Sequence, residues 1–521
     1  MNKHIKALGH NVIKSKDIWA LSILIIVSFG IYTNTFEGEF VWDDRTLFVQ
    51  NYDRWQWKNI KALLTCPDDL FGAIKTPFYR PVQNLSFLLD RYIWGRQTFG
   101  YHLSNILIHV LCTLAVFFTS RLLLNSLPGG VVSALLFAVH PVHSEVVAWI
   151  NGRNNAISAL FYILGFYSYV RFRHLKQIKH YALSVVSFGI SLFSKEYAVT
   201  FPIMLILYEI CYRQKDQALY EFLRRTVKLL IPYISVLVLY MSVRHVILPE
   251  GGGIDFQWDT IYYRLLTVPK LMLAYLKLLL FPIDLNAFHI DPLVETPYRL
   301  EFMIQCGAMI FILYLWCISL KKSQPLFIGI SWLLVTCLPV LNIIPLPNSN
   351  HLVAERFLYI PSVGFCMIVG FFFQRLFQFR QRSSLLIKYG VIFLLILMIE
   401  LHGFETLKRN LVWHNELTLW QDTVKKSPES FMVRTNLSLA LHAVGRLEEA
   451  HQEINDAIRL NPYQDTPHYI LGVILYQKAL YQDSIKALER TLQINPHHKD
   501  ASILLAKIKS IRTQIFTDTH R

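Results

Sequence analysis

Hydrophobic and polar positions alternate along the chain in long blocks up to about residue 403. Apolar runs of roughly span length are separated by short basic clusters, which is the pattern of membrane helices joined by short loops. The predicted spans are residues 18–34, 102–124, 130–149, 154–170, 181–193, 197–212, 227–247, 302–320, 325–341, 357–374 and 389–403. The pattern therefore predicts an all-α fold with a polytopic membrane domain of about eleven spans.

One further apolar run, residues 263–283, is not counted as a span. It carries Arg264, Pro269, Lys270 and Lys277, and because charges are costly inside a bilayer we predict a helix in the interface or lining a cavity. Without this run the basic clusters fall on one side, so the N-terminus is predicted to be cytoplasmic and the C-terminus external. The external side then collects three loops, residues 35–101, 248–301 and 342–356.

A different pattern begins after residue 404, where the chain is amphipathic and repetitive. Pro428, Pro462 and Pro496 are spaced by 34 residues, which is the period of a tetratricopeptide helix pair. Small residues recur in the same register, such as Ser438 with Gly472. We predict a membrane domain at residues 1–404 and an external tetratricopeptide (TPR) domain at residues 405–521. Its half repeat, two full repeats and closing helix would bind a peptide or partner protein, or form a structural cap.

Composition and charge narrow the class of protein. The 521 residues are 53% hydrophobic and only 17% charged, whereas soluble domains are about a quarter charged. The net charge of +15 could indicate nucleic-acid binding, but the basic residues lie between apolar runs, so membrane topology explains them better. None of the 7 cysteines forms a CxxC motif, so we expect neither a disulfide framework nor a zinc ribbon.

Polar residues concentrate at the predicted external ends of the spans, where a charge in or beside an apolar run usually has a function. They occur in seven short stretches: FVWDD at 40–44, YRP at 79–81, HLSNILIH at 102–109, FAVHPVHSE at 137–145, NGRNN at 151–155, SKE at 194–196 and AERFLYIPSVGF at 354–365. Two adjacent carboxylates, Asp43 and Asp44, follow the first span. The sequence thus predicts a site on one side of the membrane.

Each candidate also has a simpler interpretation. Asp43 and Asp44 could belong to a solvated turn or a helix cap. The basic candidates could snorkel or form ion pairs, Lys195 with Glu196 and Arg356 with Glu355. His140, His143 and Glu145 could bind a metal, but Pro141 interrupts the helix that would present them, so hydrogen bonds closing the turn are favoured. His102 and His109 share one helix face and could serve only in packing.

The seven stretches, in this order and followed by the repeats, resemble the signature series of the transmembrane O-mannosyltransferase-and-TPR (TMTC-like) family of GT-C glycosyltransferases. The resemblance covers nearly the whole chain. It implies an inverting transferase that moves a sugar, mannose in the better-known members, from a polyprenyl-phosphate or dolichyl-phosphate donor to Ser or Thr of a protein. The repeat array here is shorter than in animal members.

The resemblance also implies roles for individual residues. Asp43 and Asp44 are the candidate catalytic residues: Asp43 aligns with the acidic residue that activates the acceptor, and Asp44 would be a supporting or second acidic residue. Four cations are candidates for the donor phosphate: Arg80, Arg153, Lys195 and Arg356. Five residues are candidates for substrate contact: His102, His140, His143, Glu145 and Glu355. No metal ligands are assigned, although a divalent cation is left open, and residues 263–283 would wall the slot for the lipid tail.

Other functions fit the same sequence. The acceptor could be a lipid-linked glycan or polysaccharide, with the repeats as an assembly platform. A non-catalytic membrane scaffold that recruits partners through its repeats is an alternative of another class, and a transporter is disfavoured because no repeated halves are found. The short tail favours a bacterial inner membrane over the endoplasmic reticulum.

Overall fold

The computed structural model describes residues 15–65, 78–214, 216–248, 260–344, 352–379 and 385–518, with the side chains of residues 377–379, 385–388 and 511–518 excepted. Across these ranges every regular element is a helix and no strand occurs. The basic tail before residue 15, Cys66 and parts of the three predicted external loops lie outside the described residues. The predicted all-helical class is confirmed for the described part of the chain.

Fifteen α-helices lie in the described residues up to Val412. They are α1 Ser15–Gly30, α2 Ile60–Thr65, α3 Pro81–Trp94, α4 Thr98–Leu124, α5 Leu127–Val139, α6 Ser144–Ala148, α7 Arg153–Leu175, α8 Ile178–Ser194, α9 Phe201–Cys211, α10 Leu219–Ile247, α11 Ile261–Leu280, α12 Leu300–Lys322, α13 Gln324–Cys337, α14 Pro361–Phe379 and α15 Leu385–Val412. Short helical turns join several of them, including Arg45–Gln50, Pro141–His143, Ile150–Gly152, Glu196–Thr200 and Glu355–Leu358.

Each of the eleven predicted spans falls on one or more of these helices, but fewer are long and apolar enough to cross a membrane. Five qualify: Ser15–Thr35, Thr98–Leu124, Leu219–Ile247, Leu300–Lys322 and Tyr389–Val412. A sixth is the bent pair of Leu127–Val139 with Pro141–Ala148, whose axes differ by 53°. The chain is thus a helical membrane protein, and the count of eleven spans stays a prediction. The run at 263–283, helix α11, is not among the candidates.

The bend after α5 has a local cause. The ring of Pro141 supplies no backbone N–H and clashes with the preceding turn, so a regular helix cannot continue through it. The residue before it, His140, adopts an extended conformation with ψ 123°, as expected before proline. The interruption predicted at Pro141 is therefore present, and the polar residues that follow meet a later segment, with Glu145 on Arg356 and His143 on Ser362.

The chain divides into two compact units, one of residues 1–285 and 291–414 and the other of residues 286–290 and 415–521. Within the first unit, 61% of the apolar stretch of helix α4 is buried inside the protein, whereas only 11% of the apolar stretch of helix α12 is buried. An apolar helix that leaves most of its surface uncovered suits contact with lipid. The two units divide at residues 414 and 415, later in the chain than the predicted division at residues 404 and 405, because helix α15 continues to Val412.

The described residues of the second unit contain six helices. They are α16 Glu416–Lys426, α17 Phe431–Ala443, α18 Leu447–Leu460, α19 Asp465–Gln477, α20 Tyr481–Ile494 and α21 Lys499–Asp518. The positions matched by the 34-residue spacing meet in equivalent ways. Ser438 Oγ donates to the carbonyl of Ala450 at 2.7 Å, and Ser484 Oγ donates to the carbonyl of Gly472 at 2.6 Å. The small residues thus lie where neighbouring helices approach closely.

Candidate active site

The acidic pair lies on a turn formed by residues 149–151. Asp44 is fully buried, and its Oδ1 accepts the backbone N–H of Asn151 at 2.9 Å. Its Oδ2 accepts the N–H of Val41 at 3.4 Å. Burial, followed by the charge of Asp43, raises the pKa of Asp44 well above its usual range, against the lowering effect of these N–H groups. Asp44 therefore connects the first loop to the turn through these hydrogen bonds.

Asp43 occupies a different environment although it is the adjacent residue. Its side chain is exposed, and Asn151 Nδ2 donates to its Oδ2 at 3.4 Å. Gln83 Nε2 holds the amide oxygen of Asn151 at 2.6 Å, which fixes the orientation of that amide. Of the two predicted carboxylates, Asp43 is the one that a substrate can reach.

Arg153, a predicted phosphate ligand, is buried among protein acceptors. Its Nη2 lies 2.5 Å from Asp90 Oδ2 and donates to the carbonyl of Tyr101 at 2.9 Å. Its Nε donates to Asn105 Oδ1 at 2.6 Å. The amide of Asn105 in turn donates to the carbonyl of Trp149 at 3.2 Å. With its donors engaged in this way, Arg153 positions the turn at 149–151.

Arg80 forms a two-point ion pair with Glu196. Its Nε and Nη2 donate to the two carboxylate oxygens at 3.2 Å and 2.7 Å, and both side chains keep partial exposure, 16% and 27%. Burial alone would raise the pKa of Glu196, but the charge and hydrogen bonds of Arg80 outweigh it and hold the pKa at about 2. Glu196 is thus taken by Arg80 rather than by Lys195, contrary to the pairing considered from the sequence.

Lys195 is a buried ammonium with an uncharged partner. Its Nζ donates to Asn155 Oδ1 and lies 4.5 Å from the ring centre of Tyr197. Among the described residues no carboxylate lies within ion-pair distance of it. Burial, and next the nearby charge of Arg80, lower the pKa of Lys195 well below its usual range. Its surroundings therefore suit an incoming anion.

Arg356 is anchored by Glu145. Its backbone N–H donates to Glu145 Oε2 at 2.7 Å, and its guanidinium pairs with the other oxygen of this carboxylate. The charge of Asp43 also acts on Arg356. Glu355 pairs instead with Arg409 at 3.5 Å, so the Arg356–Glu355 pairing considered from the sequence is wrong. Two predicted substrate-contact residues, Glu145 and Glu355, thus support arginines.

The histidines after α5 are buried and hydrogen-bonded. His140 Nε2 contacts the carbonyl of Leu279 at 3.0 Å. His143 contacts the carbonyl of Phe137 at 2.9 Å through Nδ1 and the hydroxyl of Ser362 at 2.8 Å through Nε2. Within the described ranges no group of three or more His, Cys, Asp or Glu is placed to hold a metal ion. These contacts favour the interpretation that the histidines close the turn.

The histidines of α4 have similar surroundings. His102 Nε2 lies 3.3 Å from the carbonyl of Gly38. His109 is bonded to the hydroxyl of Tyr359 at 2.7 Å and to the carbonyl of Ala138 at 3.1 Å. Both rings are buried, and their contacts connect α4 to three other segments. The structure favours packing over substrate contact for this pair.

Residues that the sequence did not single out complete the site. Asn151 reaches Asp43, and three tryptophans, Trp42, Trp149 and Trp413, lie against one another. The first two of them also lie beside Arg356. Trp42 and Asn151 lie inside stretches that were noted as motifs, so their place in the chain was a usable signal. Trp413 lies far along the chain, and no local pattern connects it with the first loop.

The comparisons with known proteins agree with the motif series. Residues 77–248 match the family model described as dolichyl-phosphate-mannose-protein mannosyltransferase. The protein O-mannosyl-transferase Tmtc1 of Drosophila melanogaster is 27% identical over 554 residues, covering 88% of this chain and 63% of Tmtc1. Human protein O-mannosyl-transferase TMTC3 is 24% identical over 543 residues, covering 94% of this chain and 58% of TMTC3. Both relatives are animal proteins and lend no support to the predicted bacterial membrane.

A solved structure is similar at a lower level. The oligosaccharyltransferase of Archaeoglobus fulgidus, tethered to an acceptor peptide, has a TM-score of 0.46 and 11% identity, covering 83% of this chain and 58% of that chain. A TM-score in this range does not establish a common fold. The chain also spans less than two thirds of the length of these relatives. These matches confirm the predicted resemblance to the TMTC-like family of transmembrane O-mannosyltransferase-and-TPR proteins.

Proposed function

We propose that the chain is a membrane glycosyltransferase that transfers mannose from a dolichyl-phosphate or polyprenyl-phosphate donor to a Ser or Thr hydroxyl of an extracytoplasmic protein. The names of its relatives support the reaction class. One observation carries the assignment of the site. The accessible carboxylate Asp43 directly follows Trp42, whose ring centre lies 5.8 Å from the guanidinium carbon of Arg356. Arg356 and Lys195 both lie against the ring of Phe357, at 5.1 Å and 5.7 Å from its centre.

The reaction requires a general base on one side of the sugar and, on the other side, positive charge that stabilises the leaving phosphate. Asp43 accepts the proton of the acceptor hydroxyl as its oxygen forms a bond to the anomeric carbon. The bond from that carbon to the phosphate oxygen breaks, and attack from the opposite side inverts the anomeric centre. Asp44 holds the loop that carries Asp43, and it takes no part in proton transfer because its oxygens are engaged by backbone N–H groups.

The leaving lipid phosphate is held by three cations, Arg80, Lys195 and Arg356. Electrostatic stabilisation of charge that develops in the transition state is a large term in such reactions. Lys195 is the principal ligand because its Nζ donates to the uncharged side chain of Asn155, while the two arginines form ion pairs with Glu196 and Glu145. Arg153 is left out of this group because its donors serve the protein.

The lipid tail lies against helix α11. This helix packs on the segment that follows Ala354, where Leu271 and Tyr275 share a core cluster with Phe357 and Leu358. Tyr275 donates its hydroxyl to the carbonyl of Leu352 at 3.1 Å. The wall that α11 forms is therefore adjacent to Arg356, which suits a phosphate whose tail continues along an apolar helix.

The membrane arrangement and the repeats are part of the proposal. The chain crosses the membrane eleven times, with the N-terminus cytoplasmic and α11 in the interface, and residues 1–404 form the transferase domain. Residues 405–521 form an external tetratricopeptide array that binds the acceptor protein. The equivalent contacts of Ser438 and Ser484 support the repeat assignment.

The test is sugar transfer by the purified protein in detergent, from labelled dolichyl-phosphate mannose to a mixture of Ser- and Thr-containing peptides. We expect Asp43→Asn to reduce the rate by roughly 10²–10⁴-fold, which is the usual contribution of a general base. Asp53→Asn is the matched control, since Asp53 is an exposed carboxylate of the same loop. Unchanged transfer by Asp43→Asn would refute the assigned base, and no transfer by the folded wild-type protein would favour the scaffold function.

A further inference from the structure

The indole rings of Trp42, Trp149 and Trp413 form a cluster of nearly parallel planes, which we call the tryptophan cluster. The ring centres of Trp42 and Trp149 are 5.1 Å apart with planes at 20°, and those of Trp149 and Trp413 are 5.9 Å apart at 21°. Trp42 and Trp413 are 6.3 Å apart at 18°. Three aromatic faces from distant parts of the chain are thereby aligned in one place.

Two of these indoles have buried N–H groups without an acceptor. Trp149 is 5% exposed and Trp413 is 1% exposed, and neither Nε1 finds a hydrogen-bond partner in the part of the chain that the structure describes. Two other buried tryptophans differ, because Trp55 donates to Leu47 and Trp332 donates to Ile360, at 2.8 Å and 2.9 Å. Buried donors are nearly always paired, so this pair of unsatisfied donors requires an explanation.

The position of the tryptophan cluster supplies an explanation for these two unpaired N–H groups. The guanidinium carbon of Arg356 lies 5.8 Å from the ring centres of both Trp42 and Trp149, and Asp43 follows Trp42 directly in the chain. Trp42 also has a φ of 56°, a left-handed conformation that is uncommon for a bulky residue and that concentrates at functional sites. The tryptophan cluster therefore lies next to the proposed base and next to one of the proposed phosphate ligands.

We infer that the tryptophan cluster is the subsite for the transferred sugar. A hexose presents apolar C–H faces that match aromatic rings and hydroxyl oxygens that accept from indole N–H groups. In this arrangement Trp149 and Trp413 each donate to a sugar oxygen, and the anomeric carbon lies between Asp43 and the phosphate held at Arg356. The inference rests on the proposed function, because it assumes a donor in which a sugar is joined to a lipid phosphate.

The experiment separates recognition of the sugar from recognition of the lipid phosphate. Dissociation constants are measured for radiolabelled dolichyl-phosphate mannose and dolichyl phosphate on the full chain in detergent. The dissociation constant for dolichyl phosphate divided by that for dolichyl-phosphate mannose reports what the sugar adds to binding. We expect Trp149→Phe and Trp413→Phe, which keep a ring but remove the N–H, each to lower this ratio by roughly fivefold, the usual worth of one hydrogen bond.

Controls make the outcome decisive. Trp55→Phe removes an N–H that is paired elsewhere, so it should keep the wild-type ratio, and the affinity of both cluster variants for dolichyl phosphate should be unchanged. Unchanged ratios in both variants would overturn the inference, as would an equal loss of affinity for both lipids, which would indicate a structural role.

Transfer measured on the wild-type protein keeps the two proposals apart. Retained transfer together with unchanged ratios refutes the subsite alone, whereas a wild-type protein that neither transfers mannose nor prefers the mannosylated lipid refutes both.

Discussion

Two groups of arginines come from similar motifs in the first unit, and they differ in what surrounds their guanidinium groups. Arg153 is buried and meets Asp90, Asn105 and the carbonyl of Tyr101. Arg80 and Arg356 keep partial exposure and each meets one carboxylate. A buried cation surrounded by protein acceptors holds the protein together, whereas a partly exposed cation near a lysine with no ion-pair partner among the described residues can still bind a ligand. The comparison thus separates an arginine that stabilises the fold from arginines that are available to bind a substrate, although all three come from similar motifs.

The largest effect expected from this comparison is on stability. Arg153→Ala leaves the carboxylate of Asp90 buried without its partner, and breaking a buried pair costs about 3–5 kcal/mol. Arg80→Ala breaks a pair that is partly exposed, and more exposed pairs contribute about 1 kcal/mol or less. Thermal unfolding of the purified variants in detergent measures both. A loss of stability in Arg80→Ala as large as that in Arg153→Ala would show that the two groups do not differ in kind.

A smaller effect is expected on donor binding. Lys195→Met removes a charge-assisted contact with the donor phosphate, so the affinity for dolichyl-phosphate mannose should fall by roughly 10–100-fold. Lys61→Met is the control, since Lys61 is an exposed lysine of the first loop. Equal affinities of the Lys195 variant and the wild type would remove Lys195 from the phosphate site and leave the arginines to bind it.

The pH dependence of binding gives a second test of the same lysine. The lowered pKa of Lys195 means that it loses its proton at a lower pH than an ordinary lysine, while the phosphodiester of the donor does not titrate near neutrality. Bound phosphate favours the protonated lysine, so affinity should fall as the pH rises through the lowered pKa. This decline should be absent in Lys195→Met, and the same slope in both proteins would assign it to another group.

Much of this comparison was accessible from the sequence, because membrane helices and motifs leave local signals. The apolar runs and the break at Pro141 predicted the helices, and the positions of Asp43, Lys195 and Arg356 in successive motifs predicted a common site. The partners were not predictable. Glu145 lies in a motif far from Arg356, and Asp90 lies in no motif. Which carboxylate meets which cation depends on helix packing, which a single sequence does not encode in its spacing.

The smallest effect is expected at Asn151, which lies between the two groups. Its backbone N–H is held by Asp44 and its amide reaches Asp43 at 3.4 Å, so it transmits the position of the rigid turn to the proposed base. Asn151→Ala should lower kcat by roughly two- to tenfold, as expected for loss of one weak hydrogen bond, while KM and thermal stability stay near wild type. Asn154→Ala is the matched control, because the amide of Asn154 contacts Gln83 and the Asn151 carbonyl. An equal loss of kcat in both variants would mean that the turn as a whole, rather than the contact between Asn151 and Asp43, sets the reactivity of the carboxylate.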